Sequence, residues 1–306
     1  MNSQSQASIG GRSFSLSNLD KILWPEDHFT KEELIKYYVQ AAPFIIEHLQ
    51  DRAMVFTRYP NGIEGKSFYQ KNSPQHLPDW IKTFPLYSSD SDRIINYTLI
   101  EEQATLAWLA NQACIEMHPW LSRINSLDYP DFVVFDLDPS ADSTYENVII
   151  IAQILNQLLT SLGLHSYLKT SGSLGLHIYV PVINKYTYEE IRVFANKIAA
   201  LVASSTAKIS TIERSVRLRG DKIYIDYLQN GRGKTLCSVY SVRPRPGAPV
   251  STPLEWDELT EVTPADFTIK TIIPRLKERG ELFAPVLTDK QSLENAQQKL
   301  KSLATV

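Results

Sequence analysis

Three aspartates stand at the ends of two apolar runs. Residues 132–138 read Phe-Val-Val-Phe-Asp-Leu-Asp, which sets Asp136 and Asp138 two residues apart. On a strand, side chains alternate with a period of two, so both carboxylates face the same way. Asp226 ends a second apolar run, Ile-Tyr-Ile-Asp. Between them lies Ser171-Gly172-Ser173-Leu174-Gly175-Leu176-His177, a small-residue turn that enters a strand carrying a histidine. Arg243-Pro244-Arg245 follows. Three carboxylates can hold two divalent cations, and such a pair can clamp the attacking and leaving oxygens of a phosphoryl displacement. Ser, Gly, His and Arg side chains and turns can hold the phosphates.

Each motif alone has an ordinary reading. An Asp-x-Asp after a strand commonly caps a loop, a Ser-Gly turn commonly only turns, and a strand histidine commonly has a structural hydrogen bond. Their occurrence in one order, with every carboxylate at a strand end, favours chemistry. Gathering three carboxylates costs several kcal/mol unless cations or arginines neutralise them, so stability alone would rarely select the arrangement. The turn lacks the Gly-x-x-x-x-Gly-Lys-Ser/Thr spacing and is not a P-loop. Its glycines would let backbone N–H groups face phosphate oxygens.

The order Asp-Leu-Asp-Pro, Ser-Gly-x-x-Gly-x-His, Ile-Asp-Tyr-Leu-Gln-Asn resembles the polymerase domain of bacterial non-homologous end-joining ATP-dependent DNA ligases, within the archaeo-eukaryotic primase superfamily. The likeness extends to residues 19–25 (Leu-Asp-Lys-Ile-Leu-Trp-Pro), 58–62 (Arg-Tyr-Pro-Asn-Gly), 68–71 (Phe-Tyr-Gln-Lys), 118–120 (His-Pro-Trp) and 243–249, and so covers about residues 12–290. It implies an α+β fold: a primase-type split βαβ catalytic sheet packed against an N-terminal α/β module, with a cleft between two lobes. It also implies a metal-dependent, primer-extending and gap-filling nucleotidyltransferase of double-strand-break repair that prefers ribonucleotides. Asp136, Asp138 and Asp226 are then the catalytic Mn²⁺ or Mg²⁺ ligands, since hard oxygen donors suit those ions. Ser171, Gly172, Gly175, His177, Lys234, Arg243 and Arg245 fall to the triphosphate.

The same resemblance turns Phe68 and Tyr69 from default core aromatics into a stacking surface for the nucleotide. The family pair is commonly two phenylalanines, and a phenol ring still offers a π-face. Lys21 and Lys31, by type ordinary surface lysines, match positions that hold a downstream 5′-phosphate. Arg58 and Lys71 belong to matching DNA-side motifs, and Arg219 is expected to touch nucleic acid beside the carboxylates. His118 is either an auxiliary residue near the metals or a structural hydrogen-bond partner. Gln229 is assigned no role. The implied partners are DNA ends or gaps bearing a 5′-phosphate, a Ku-type end-binding protein and a ligase. The competing functions are a primer-initiating primase and a non-catalytic end-bridging module. A zinc module would favour the first, and the second would not need three carboxylates.

Composition fits such a protein without selecting it. The chain has 306 residues, 43% apolar, with a formal net charge of -3. A nucleic-acid binder is often basic, but the local field matters more than the total. Arg214, Arg217, Arg219, Lys222, Arg232, Lys234, Arg243 and Arg245 crowd around Asp226. Cys114 and Cys237 have no metal-ligand spacing and read as buried thiols, which suits a reducing, nucleoid-associated cytoplasmic setting. No apolar stretch is long enough for a bilayer.

Residues 1–11 read as a disordered lead and 12–306 as a single domain: an N-terminal lobe over about 12–125, a catalytic lobe over about 126–250 and a helical segment over about 251–306. Thr30 caps a helix that Pro43 should break or kink. Residues 74–92 read as a long loop, and 236–241 as a strand. The pattern strand–helix–strand–strand–helix–strand surrounds the carboxylates.

Overall fold

The computed structural model describes residues 4–89 and 91–303. In chain order its elements begin β1 (Gln4–Ile9), β2 (Arg12–Ser17), β3 (Ile22–Trp24), β4 (Phe29–Thr30), α1 (Lys31–Leu49), β5 (Met54–Arg58) and β6 (Phe68–Gln70). They continue with β7 (Thr83–Ser88), β8 (Arg93–Thr98), α2 (Gln103–Asn111), β9 (Cys114–Pro119), β10 (Phe132–Asp138), α3 (Tyr145–Ser161), β11 (Tyr167–Thr170) and β12 (Leu176–Pro181). The last are α4 (Tyr188–Ser205), β13 (Ser210–Thr211), α5 (Val216–Arg219), β14 (Ile223–Asp226), β15 (Pro253–Leu254), α6 (Ile272–Arg279), α7 (Pro285–Thr288) and α8 (Glu294–Leu303). No helix among the described residues is long and apolar enough to cross a membrane.

The chain divides into two compact units: residues 1–125, 235–251 and 265–281 form the first, and 126–234, 252–264 and 282–306 the second. The N-terminal lobe therefore recruits residues 235–251, which the sequence reading placed with the carboxylates. The Ser238 N–H donates to Met117 O (2.9 Å) and the Met117 N–H to Ser241 Oγ (2.9 Å), so this segment satisfies β9. For the same reason residues 236–241 form no strand: they follow β9 irregularly, and Tyr240 sits at φ 59.

In the first unit, β6-β5-β9 make a three-stranded antiparallel sheet. Thr30 caps α1 in a full capping box with Glu33,. The expected break at Pro43 does not occur, and α1 runs through it. A proline leaves the carbonyl four residues back without its helical donor. That carbonyl, Val39 O, accepts from the Gln103 side chain on α2 at 2.9 Å.

Two expected loops are hairpins instead. Of the supposed disordered lead, residues 1–3 lie outside the described residues, but β1 pairs antiparallel with β2. Gly10 (φ 56) and Gly11 (φ 78) supply the left-handed turn that matches strand twist,. Within 74–92, β7 pairs with β8 from Thr83↔Thr98 to Ser88↔Arg93. Pro85 is tolerated because this two-stranded sheet consists only of edges.

The second unit holds a six-stranded sheet in the order β13-β14-β10-β12-β11-β15. All neighbours are antiparallel except β13 and β14. Its element order, β10-α3-β11-β12-α4-β14 around the short β13, is the predicted split pattern. Helices α3 and α4 pack against each other and on the sheet. The apolar runs that sequence reading assigned to strands are its core: Val133, Val134, Phe135, Leu137, Ile178, Val180, Ile223 and Ile225 are buried.

Candidate active site

Strand register assembles the polar row. Asp136 on β10 lies directly opposite Asp226 on β14 and, on its other side, opposite His177 on β12. His177 in turn faces Lys169 on β11. Side chains of directly paired residues share a face, so Asp226, Asp136, His177 and Lys169 form one row across four strands. Asp138, two residues beyond Asp136, joins that face at the exposed end of β10.

Every carboxylate already has a donor or cation beside it. Asp138 Oδ2 accepts from Arg219 Nη1 at 3.2 Å. Arg219 is fixed by the carbonyls of Glu213 and Arg214, and its guanidinium lies 3.9 Å over the Tyr224 ring. Asp226 accepts from the Leu228 N–H (2.8 Å) and from Gln229 Nε2 (3.0 Å). Burial first, and then the charge of Asp226, push the Tyr224 phenol far above its usual pKa. Asp136 Oδ1 lies 3.4 Å from His177 Nε2. Among the described residues, no group of three or more His, Cys, Asp or Glu side chains is arranged, as it stands, to hold a metal ion. The donor set nevertheless fits a hard cation, being three carboxylates on one face of adjacent strands. Such an ion would compete with Arg219 and Gln229 for the outer two.

The turn before β12 works differently from expectation. Ser171 Oγ accepts from the Ser173 and Gly175 N–H groups, both at 3.1 Å, and the Ser171 N–H donates to Gly175 O. Those amides close the turn rather than face outward. A hydroxyl that has accepted twice can act further only as a donor, which suits a phosphate oxygen. Gly172 has φ 70, in the left-handed region. Gly175 is required by proximity: a Cβ there would stand 2.0 Å from Leu137 O.

Asn230, Gln229 and Lys169 are the residues that sequence reasoning missed. Asn230 is fully buried, and its amide donates to Val134 O (2.7 Å) and accepts from Val134 N (2.8 Å), extending the ladder where β14 ends. The Leu-Gln-Asn segment after Asp226 was visible, but its contacts depend on the turn. Lys234 lines a cavity of about 640 Å³ together with Asp226, Gln229, Arg214 and Arg232.

The remaining candidates lie in the first unit. Phe68 and Tyr69 on β6 are 49% and 60% exposed, too open for core aromatics. Lys66 sits 5.8 Å over the Phe68 ring and Lys71 6.0 Å over Tyr69. Phe68, Tyr69, Arg58 and Lys71 line one groove with Ser88 and Arg93 of the β7–β8 hairpin. Arg58 is held by Gln112 O and Gln70 Oε1.

Lys31 is no surface lysine: it is buried, with Nζ donating to Asn111 O (3.1 Å) and Ser17 Oγ (3.3 Å). Burial and the charge of Lys21 lower its pKa to about 8, against a raising effect from Asp20. Lys21 itself donates to Asn61 Oδ1 at 3.1 Å.

Arg243 Nε lies 2.8 Å from Glu116 Oε1, and His118 lies 3.7 Å from the same carboxylate and 3.4 Å from Thr57 Oγ1. Burial alone would raise the Glu116 carboxyl, but His118 and Arg243 hold it below the usual range. Arg245 is exposed. Cys114 and Cys237 are buried and not joined in a disulfide, and burial pushes the Cys114 thiol up to about 12.

Comparison with known proteins matches this arrangement. The family model described as "LigD, primase-polymerase domain" matches residues 30–283. The chain is 37% identical over 266 residues to the bifunctional non-homologous end joining protein LigD of Bacillus subtilis, covering 86% of this chain and 42% of that protein. It is 32% identical over 276 residues to the multifunctional LigD of Mycolicibacterium smegmatis, covering 90% and 36%. The chain thus spans less than half the length of these relatives. The solved polymerase domain of Mycobacterium tuberculosis ligase D, in complex with DNA, superposes with a TM-score of 0.84 at 27% identity, over 91% of this chain and 99% of that one. A primase-type sheet carrying three carboxylates on one face, and a family match across most of the chain, make this chain a member of the LigD primase-polymerase family, whose domains are DNA-directed nucleotidyltransferases.

Proposed function

We propose that this chain extends primers and fills gaps at broken DNA, with ribonucleotides preferred over deoxyribonucleotides. The observation that supports it best is the shared face of Asp226, Asp136 and Asp138 across β14 and β10. Those three carboxylates would hold Mn²⁺ or Mg²⁺. Such ions, when bound, activate a primer 3′-hydroxyl and neutralise the triphosphate.

The chain's own groups do the rest. His177 and Ser171 donate to phosphate oxygens beside the carboxylate row. Lys234 adds a cation to the cavity at Asp226, and Arg219 meets the DNA backbone at the end of β10. Phe68 and Tyr69 stack on bases, with Arg58 and Lys71 holding the backbone around them. Lys21 and Lys31 read the downstream 5′-phosphate. Arg243 and Arg245 are triphosphate contacts, Arg243 oriented by Glu116; His118 shares that carboxylate as an auxiliary residue. A Ku-type protein and a DNA ligase are the natural partners of this chemistry, at the nucleoid.

The test is single-nucleotide addition to a gapped duplex carrying a 5′-phosphate, with Mn²⁺ present. Ribonucleotides should be incorporated faster than deoxyribonucleotides. Equal or reversed rates would refute the sugar preference, and no addition of either would refute the polymerase reading.

A further inference from the structure

Lys169 is fully buried, and it is one of only two lysines buried among the described residues. Its Nζ lies 2.8 Å from His177 Nδ1, and the opposite edge of that imidazole, Nε2, lies 3.4 Å from Asp136 Oδ1. The three residues are in direct register on β11, β12 and β10. The Tyr179 ring, two residues along β12 on the same face, stands 5.8 Å from the same Nζ.

Stability does not explain this lysine. A methionine would fill the space without desolvating an ammonium, and replacing buried charge by apolar bulk is often neutral or stabilising. The aromatic face beside it suits an ammonium through cation–π attraction,. An ammonium has three donors and no acceptor. Nδ1 of His177 must therefore accept, and the ring's proton must sit on Nε2, the edge turned to Asp136.

We propose that Lys169 is a positioning residue that locks His177 in the Nε2–H tautomer and so aims one fixed donor at the carboxylate row. The inference rests on the reading above, in which His177 donates to a phosphate oxygen of the incoming nucleotide. Without Lys169, Nδ1 can carry the proton instead, and Nε2 would then present a lone pair to a polyanion.

The experiment is a long-range ¹H–¹⁵N spectrum of the full chain labelled at histidine, with His177 assigned by His177→Gln. Alongside it, nucleotide KM and kcat are measured for wild type, Lys169→Met and Lys169→Arg. Wild type should show His177 protonated at Nε2. Lys169→Met should move that proton partly or wholly to Nδ1 and raise the nucleotide KM by about 10- to 100-fold, with kcat less affected. Lys169→Arg, again a donor without an acceptor, should restore both.

A wild-type His177 protonated at Nδ1 overturns the proposal, whether or not any variant folds. So does a folded Lys169→Met that keeps the Nε2–H tautomer and its KM. Should the wild type add no nucleotide at all, the polymerase reading fails while the spectrum still decides the role of Lys169.

Discussion

Gly175→Ala is the sharpest structural test of how the sheet presents its carboxylates. A Cβ at this position would meet Leu137 O at 2.0 Å, Leu137 C at 3.2 Å and Pro139 Cδ at 3.1 Å. Ordinary contacts need at least 3 Å, so β10 and the start of β12 must separate by about 1 Å. Neither side can yield easily. Leu137 is the register partner of Leu176, and both are fully buried. Overpacking typically costs about 1–3 kcal/mol, and losing a ladder hydrogen bond adds about 1 kcal/mol. The sum, about 2–4 kcal/mol, corresponds to a fall of roughly 5–10 °C in Tm.

Activity should fall further than stability. Leu137 lies between Asp136 and Asp138, and a displacement of about 1 Å at reacting groups costs on the order of 100-fold. Differential scanning fluorimetry and single-nucleotide addition on one protein sample measure both. Gly175→Ala with an unchanged Tm and wild-type addition would refute the close approach, and with it the register argument.

Other perturbations should separate recognition from chemistry. Lys31 has its pKa lowered to about 8, so it is charged below that pH and loses charge above it. The preference for a 5′-phosphorylated gap over an unphosphorylated one, read by gel shift, should be greatest below pH 8 and decline towards pH 9.5. Lys31→Met should abolish that decline and raise Tm at pH 7, since it removes a charge buried at a cost. A preference independent of pH in the wild type would contradict this role. Phe68→Ala and Tyr69→Ala should each weaken nucleic-acid binding by about 1–3 kcal/mol with Tm nearly unchanged, because both rings are exposed. A drop in Tm without loss of binding would make them packing residues.

Much of the catalytic sheet was legible in the sequence because its signals are local. The period of two fixed the common face of Asp136 and Asp138, and the Thr30 N-cap with acids after it fixed the start of α1. Residues whose roles depend on register were not legible. Lys169 reads as one polar residue in a short strand until β11 is paired with β12. Asn230 reads as a turn residue until its amide completes the edge of β10. Glu116 meets Arg243 only because residues 235–251 fold back along β9. The misread hairpins share a cause: β1 and β7 are polar or proline-containing, and only their partners bury a face. The Pro43 break was averted by a donor from another helix, which no local rule contains.

The central claim is that Asp136, Asp138 and Asp226 jointly hold divalent cations for nucleotidyl transfer. Asp138 offers the cleanest perturbation. Its side chain is 57% exposed and its carboxylate pairs with Arg219 at the strand end, so Asp138→Ala should leave the fold intact. The direct measurement is Mn²⁺ binding by electron paramagnetic resonance, with a non-hydrolysable nucleotide and gapped DNA present. The wild type should bind two Mn²⁺ per chain, and Asp138→Ala should lose at least one while keeping its Tm. An Asp138→Ala protein that binds Mn²⁺ as fully and as tightly as the wild type would contradict the claim.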